Sequence, residues 1–277
     1  MTIDQFVALA IEEDIKDGDH SALACIPKDA RGKAKLLVKE EGIIAGIAVA
    51  KEIFKRFDDS VVFKQLIEDG ERVKYGDIAF YIEGYSQKLL GAERLVLNVM
   101  QRMSAIATLT NKFVVEIGDL PTKILDTRKT TPLIRFLEKQ AVKIGGGENH
   151  RMGLYDMVML KDNHIDFAGG IEKAIVKTSN YLKENNLSLK IEIETRNLDE
   201  VKEVLRVGGV DRIMLDNFSF EDIKTAIQLI DGKYETEASG GIKLSTVRKF
   251  AECGVDYVSS GALTHSVHNL DLSLKAV

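Results

Sequence analysis

After Pro121 the chain alternates short β-prone runs with helical patterns, and few folds accept that rhythm. The runs cover residues 123–126, 157–161, 190–194, 212–216, 234–239 and 257–260, while helical spacing marks 171–184, 198–206 and 220–230. Ser219 and Asp222 supply a cap for the last of these helices. Repeated strand–helix units imply right-handed crossovers and a parallel sheet. The roughly 145 residues available fall short of the about 250 that eight units take, so six or seven units closing into a reduced α/β barrel are expected.

Every one of these runs ends in polar groups. They are Asp126 with Arg128 and Lys129, Lys161 with Asn163, Glu194, Asp216 with Asn217, Ser239 with Gly240, and Ser260 with Gly261. In an α/β barrel the C-terminal strand ends share one face and build the active site. The pattern therefore predicts a mouth able to bind an anion, a metal or a sugar.

The first third reads as a small α+β unit. Thr2 and Gln5 suit a capping box, and Phe6, Leu9, Ala10 and Ile11 give a helical face that fades at Gly18. β-rich runs follow at 34–39, 43–49, 61–67 and 78–82, bounded by turns such as Asp69-Gly70. From 87 to 117 an apolar stripe through Leu90, Leu95, Val96, Val99, Met103, Ile106 and Leu109 predicts a long helix joining two domains. The expected division is 1–108 for the first domain, with 267–277 returning to it, and 109–266 for the barrel.

Charge is distributed unevenly. The chain carries a net charge of -5, yet residues 123–164 hold eight Lys and Arg against five Asp and Glu, a local excess of three positive charges. A basic focus in an acidic protein is a candidate anion site. No long basic stripe with interleaved aromatics is present, which argues against general nucleic-acid binding. Cys25 and Cys253 form neither a disulfide framework nor a zinc motif. The N-terminal residues lack signal-peptide character and no apolar run reaches the about 18 residues of a membrane span, so a cytoplasmic setting is expected.

Within the basic focus, Arg128 suits bidentate grip of a carboxylate and Lys129 suits phosphate. Pro132 is placed to start the next helix. The triple glycine at 145–147 precedes His150 and Arg151, letting backbone approach a ligand closely. Ser239-Gly240-Gly241 lies between a strand and a helical pattern starting near residue 245, an arrangement whose N–H groups can face a phosphate, with Ser260-Gly261 completing the cup. Glu194 and Asp216, with no Cys or His cluster nearby, suit Mg²⁺ shared with phosphate oxygens, ribose hydroxyls, or an ion pair with Lys161 or Lys129.

The run DTRKTTP…LEKQAVKIGGGENHRMGLYDMVMLKDNH, together with EEDIKDGDHSA, AERLVLNVMQRMSAIATLT, IEIET, IMLDNF, EASGGI, VSSGALTHS and LDLSLK, resembles the quinolinate phosphoribosyltransferases, or nicotinate-nucleotide pyrophosphorylases (carboxylating), over nearly the whole chain. The resemblance implies an N-terminal open-faced α+β sandwich, a C-terminal reduced α/β barrel and a homodimer or larger assembly. It implies conversion of quinolinate and phosphoribosyl pyrophosphate into nicotinate mononucleotide, pyrophosphate and CO₂, with Mg²⁺, in NAD biosynthesis.

Carried over by motif, Arg128, His150, Arg151 and Lys161 would meet the carboxylates of quinolinate, Thr127 would belong to the substrate-binding set, and Arg102 would reach in from the neighbouring subunit. Lys129, Glu194 and Asp216 would handle pyrophosphate, metal and ribose, while Ser239, Gly240, Gly241, Ser260 and Gly261 would hold the 5′-phosphate. Lys129, Lys161, Glu194 and Asp216 are the expected catalytic set. The chain departs from the family pattern at Leu133 and Ala105, where glycines are usual, and at Gln140, where tyrosine is frequent. The rival readings are a ModD-like paralogue acting on another carboxylated heterocycle and a non-catalytic anion-binding protein.

Overall fold

A computed structural model describes residues 1–277, which divide into two compact units. The first comprises Met1–Asn111, Thr130–Gly146 and Leu263–Val277; the second comprises Lys112–Lys129 and Gly147–Ala262. The segment 130–146 therefore groups with the first unit, although the sequence pattern assigns it to the barrel. No helix is long and apolar enough to cross a membrane.

In the first unit, the Thr2 capping box forms as expected and opens the helix Ile3–Asp14. The strands are β1 (Arg31–Val38), β2 (Gly42–Ile43), β3 (Val62–Gln65), β4 (Arg72–Val73) and β5 (Ile78–Tyr85). The last strand of the chain, Leu272–Ala276, pairs antiparallel with β1 at the edge of a four-stranded sheet, while β2 and β4 pair separately. Alternation in β1 buries Ala34, Leu36 and Val38 on one face. Phe54, from the helix Ile47–Phe57, meets Phe80 of β5 edge-on at 6.1 Å. On the opposite face Lys33 lies 5.2 Å from the Tyr81 ring centroid, a cation–π contact suited to an open sheet surface.

Residues 43–49, expected as a strand, instead end β2 and start the helix Ile47–Phe57. Gly46 adopts φ +97°, a left-handed turn that a β-branched neighbour would resist. Asp69 then accepts a hydrogen bond from Ile47 N at 2.9 Å, capping the helix from 22 residues away. Burial pushes the Asp69 carboxyl up, against the backbone hydrogen bonds that hold it down. The helix Ser86–Ile117 forms over the whole expected stripe.

The second unit contains β6 (Lys123–Leu125), β7 (Val158–Leu160), β8 (Ile191–Thr195), β9 (Arg212–Asp216), β10 (Glu235–Ser239) and β11 (Tyr257–Ser259); Leu272–Ala276 is then β12. Its six strands make one parallel sheet in the order β6-β11-β10-β9-β8-β7, the sheet of the reduced α/β barrel. A single parallel bridge from Leu125 to Glu148 adds a rung on the other side of β6. One side of each central strand is aliphatic: Ile193 of β8 and Ile213 and Leu215 of β9 are fully buried. Buried residues on the intervening helices include Val201, Val204, Ile223 and Ala226. Because the strands run parallel, their C-terminal ends lie along one edge, and the polar strand-end residues share it.

Candidate active site

At the end of β9, Asp216 accepts a short hydrogen bond from the Ser239 hydroxyl at the end of β10. Asn217 follows in the left-handed region (φ +57°), its N–H donating to Ser239 O at 3.0 Å and its amide to Asp216 Oδ2 at 2.7 Å. Gly240 packs directly over this turn with φ +96°; a Cβ there would overlap the Asn217 side chain and sit 2.9 Å from its backbone nitrogen. Only glycine fits. The Ser260 hydroxyl donates to Ile242 O at 3.0 Å, and Ser260 N donates to Leu125 O at 3.1 Å. Both serine hydroxyls thus tie neighbouring strand ends together, which shapes the loops carrying Gly240, Gly241 (φ +62°) and Gly261.

The cations gather on the same edge. Thr127 Oγ1 accepts from Lys129 N at 3.0 Å, forming the tight turn that presents Arg128 and Lys129 to solvent. Arg151 is 9% exposed and its Nη1 donates to Met157 O at 3.2 Å. Burial holds the Arg151 guanidinium below its ordinary value, and repulsion from Arg128 pushes it the same way. A buried guanidinium with a second cation beside it is stabilised by an anion bound between the two. Lys161 Nζ lies 3.3 Å from Glu194 Oε2. Burial raises the Glu194 carboxyl; Lys161 opposes that rise and nearby Asp216 adds to it.

His150 is positioned differently from a ligand-facing residue. Its N–H donates to Asp126 Oδ1 at 2.9 Å, and its Nδ1 accepts from Arg151 N at 2.6 Å. Its Nε2 lies 2.9 Å from Glu192 Oε2 and 3.5 Å from Glu237 Oε2. Nδ1 is thus engaged by the Arg151 backbone, and Nε2 is buried close to Glu192 and Glu237.

Behind His150 the inner face of the sheet is charged. Arg212 Nη1 lies 3.1 Å from Glu237 Oε2, its Nη2 lies 3.0 Å from Glu235 Oε2, and its guanidinium stacks 4.1 Å over the Tyr257 ring. Burial drives both Glu192 and Glu237 up to about 7; Arg212 opposes this at each, whereas Glu192 adds to the rise at Glu237. Asp126, which the sequence placed at the mouth, supports the site from within, as do Glu192, Arg212 and Glu237, to which the sequence reading assigned no role there. A signal was available: glutamates alternate with isoleucines in IEIET, giving a buried strand one charged side.

Arg102 belongs to the first unit, apart from the residues above. Its Nε and Nη2 donate to Glu138 Oε1 at 3.0 and 2.8 Å, and Nη2 also donates to the Thr264 carbonyl. Glu138 is buried, and its other oxygen accepts from Thr131 N at 3.0 Å. Pro132 does not start a helix. Leu133 takes φ +70°, and the next helix begins at Arg135.

Comparison with known proteins covers nearly the whole chain. The family description "Quinolinate phosphoribosyl transferase, N-terminal domain" matches residues 19–104, and its C-terminal counterpart matches residues 106–275. The chain is 48% identical over 284 residues to the chloroplastic nicotinate-nucleotide pyrophosphorylase [carboxylating] of Arabidopsis thaliana, covering 97% of this chain and 81% of that one. It is 41% identical over 278 residues to a probable nicotinate-nucleotide pyrophosphorylase [carboxylating] of Synechocystis, covering 99% and 92%. Among solved structures, NadC from Streptococcus pyogenes superposes with a TM-score of 0.93 at 41% identity, covering 99% of this chain and 97% of that one. On its motifs, its sheet topology and these matches, the chain belongs to the quinolinate phosphoribosyltransferase family.

Proposed function

We propose that the strand-end site of the second unit transfers the phosphoribosyl group of phosphoribosyl pyrophosphate to quinolinate, giving nicotinate mononucleotide, pyrophosphate and CO₂ for NAD biosynthesis. The observation that carries this reading is the convergence on one sheet edge of the Arg128–Arg151 cation pair, the Lys161–Glu194–Asp216 group and the glycine cup. A dicarboxylate and a sugar bearing seven or so negative charges between them need such a set of fixed cations, and a protein of net charge -5 supplies it only locally.

The residues act by position and charge. Arg128, Arg151 and Lys161 hold the quinolinate carboxylates and turn the ring nitrogen towards the anomeric carbon. Lys129 faces the leaving pyrophosphate, and the Gly240-Gly241 and Gly261 backbone receives the 5′-phosphate. The nitrogen–carbon bond forms as the bond from the anomeric carbon to pyrophosphate breaks, through an oxocarbenium-like state favoured by these cations. The ring nitrogen is then cationic, and its charge stabilises the electron pair left on the neighbouring carbon when the adjacent carboxylate departs as CO₂; that carbon then uses the pair to take a proton from solvent. Glu194 disengages from Lys161 when a carboxylate substrate arrives, which frees the ammonium to bind it.

Glu194 and Asp216 also fit a divalent cation. They are hard oxygen donors near the ends of adjacent strands, and mutual repulsion contributes to the raised Glu194 carboxyl, a penalty that a cation relieves. Bound Mg²⁺ would neutralise pyrophosphate charge there. Arg102 is our candidate for a contribution from a second copy of the chain, because Glu138 and Thr264 hold Nε and Nη2 while Nη1 is left for a ligand.

The deciding assay supplies Mg²⁺, phosphoribosyl pyrophosphate and either quinolinate or nicotinate, and measures nucleotide and CO₂. Turnover of quinolinate with stoichiometric CO₂ is expected; turnover of nicotinate alone refutes the reading. Arg102→Ala and Lys161→Ala should each be inactive, and mixing them should restore part of the activity. Mixed dimers without restored activity would remove Arg102 from the shared site.

A further inference from the structure

The end of β6 carries a fully buried carboxylate that the binding scheme above leaves unused. We propose that Asp126 is a positioning residue that sets the spacing between Arg128 and Arg151, and so makes the site select two adjacent carboxylates over one. The inference rests on the proposed function for what the two arginines grip.

Residues 148–150 run alongside β6 as a short parallel extension of the sheet. Glu148 N donates to Ile124 O at 2.9 Å and Asp126 N donates to Glu148 O at 3.2 Å, which makes the Leu125–Glu148 bridge. In a parallel ladder the next rung comes two residues on, from the His150 N–H to an acceptor on residue 126. That rung is made, at 2.9 Å, to the side-chain oxygen Asp126 Oδ1.

An aspartate side chain is short enough to stand in for a main-chain carbonyl. The rung holds the second segment in register while the first departs into its turn, where Thr127 Oγ1 accepts from Lys129 N at 3.0 Å. Arg128 stands on that turn, two residues beyond Asp126, and Arg151 is the residue after His150. The Asp126–His150 bond therefore joins the two backbones right beside the two guanidiniums.

The joint is protected from water, since Asp126 is fully buried and His150 nearly so. Arg151 is fixed further by its own contacts: its N–H donates to His150 Nδ1 at 2.6 Å and its Nη1 to Met157 O at 3.2 Å. Burial and then repulsion from Arg128 hold the Arg151 guanidinium below its ordinary value, so the two cations are neighbours that would separate if the backbone let them. Adjacent carboxylates on a ring stand at one separation. A two-point grip on them needs the guanidiniums held at a matching distance, whereas a single carboxylate does not.

Substitution separates the reach of the carboxylate from its charge. Asp126→Asn keeps an oxygen at the same reach without the charge; Asp126→Glu keeps the charge and moves it one methylene further. Calorimetry on the full chain, with pyrophosphate present, compares phthalate with benzoate, which differ by one carboxylate and cannot react. The unaltered protein should prefer phthalate, and Asp126→Ala should cut that preference about tenfold, the scale of one lost hydrogen bond to a charged group. Asp126→Asn should keep the preference within about twofold, and Asp126→Glu should lose it as alanine does. Exchange of the His150 amide proton should be slow in the unaltered protein and in Asp126→Asn, and fast in Asp126→Ala.

An unchanged preference in a folded Asp126→Ala overturns the proposal. So does a preference lost in Asp126→Asn and kept in Asp126→Glu, which would make charge the working property; this pair also decides the matter if the alanine variant does not fold. An unaltered protein that binds both ligands equally refutes the proposed function and takes this inference with it, an outcome distinct from the other two.

Discussion

Replacing Arg212 by methionine removes the charge from the interior of the parallel sheet while keeping an unbranched side chain of similar reach. Arg212 is 7% exposed, contacts Glu235 and Glu237 at 3.0 and 3.1 Å, and stacks on Tyr257. Its loss strands buried carboxylates, and breaking a buried ion pair from one side costs about 3–5 kcal/mol. For a chain of this size that corresponds to a fall in melting temperature of roughly 10 °C.

The cost depends on pH, with a definite sign. Glu192 and Glu237 sit at about 7 in the folded protein against an ordinary 4.5, so folding retains protons that the unfolded chain loses. The associated stability is complete below about pH 4.5 and disappears as pH rises through about 7. Arg212 opposes the upward shift at both groups, so Arg212→Met raises them further. Urea unfolding should therefore show a small deficit at pH 6, where the carboxyls can be neutral, and the full deficit at pH 8. An equal deficit at both pH values, or one below about 1 kcal/mol at pH 8, would show that the cation does not compensate the buried pair.

Three other substitutions test separate parts of the structure. Leu133→Gly should raise stability by up to about 1 kcal/mol in thermal melts, because relief of left-handed strain outweighs the added freedom of the unfolded chain; a destabilised variant would contradict it. Gly240→Ala should leave the far-ultraviolet circular dichroism intact and raise the phosphoribosyl pyrophosphate KM by about tenfold or more, because its Cβ displaces the Asn217 turn; normal kinetics would dissociate that turn from phosphate binding. Glu138→Ala should cost about 2 kcal/mol in urea unfolding, since it leaves Arg102 and the Thr131 N–H without their buried acceptor; an unchanged transition would show that water replaces the carboxylate freely.

The sequence made the strand-end residues legible for a physical reason. Parallel strands covered on both faces are aliphatic until they emerge, so a polar residue such as Asp216 or Ser239 marks the point of emergence. Amphipathic helices were legible on the same basis: Ile171–Glu184 and Phe220–Ile230 begin and end where their spacing places them. Residues 43–49 misled because isoleucine and valine favour strands locally, while the cap that decides for helix comes from Asp69. The fate of Pro132 was hidden by Leu133, whose left-handed backbone interrupts the expected start. Hardest to see was the polar inner face. Glu192, Arg212 and Glu237 occupy positions where a small barrel usually carries branched aliphatics, and only their mutual pairing, a property of register, makes them acceptable there.

The pairing of β12 with β1 has a consequence for synthesis. The first unit draws on three separate stretches of chain, and β1 finds its edge partner only in residues 272–276. On the ribosome, residues 31–85 emerge early and wait, one strand edge open, while the whole of the second unit is made. An open edge is a template for pairing with another chain. The segment forming the parallel sheet therefore leaves the exit tunnel before the N-terminal sheet can be finished, and the unit that begins the chain is the last to close. Slow translation through the barrel would lengthen that exposure, and chaperone demand should track the interval rather than the stability of the finished protein.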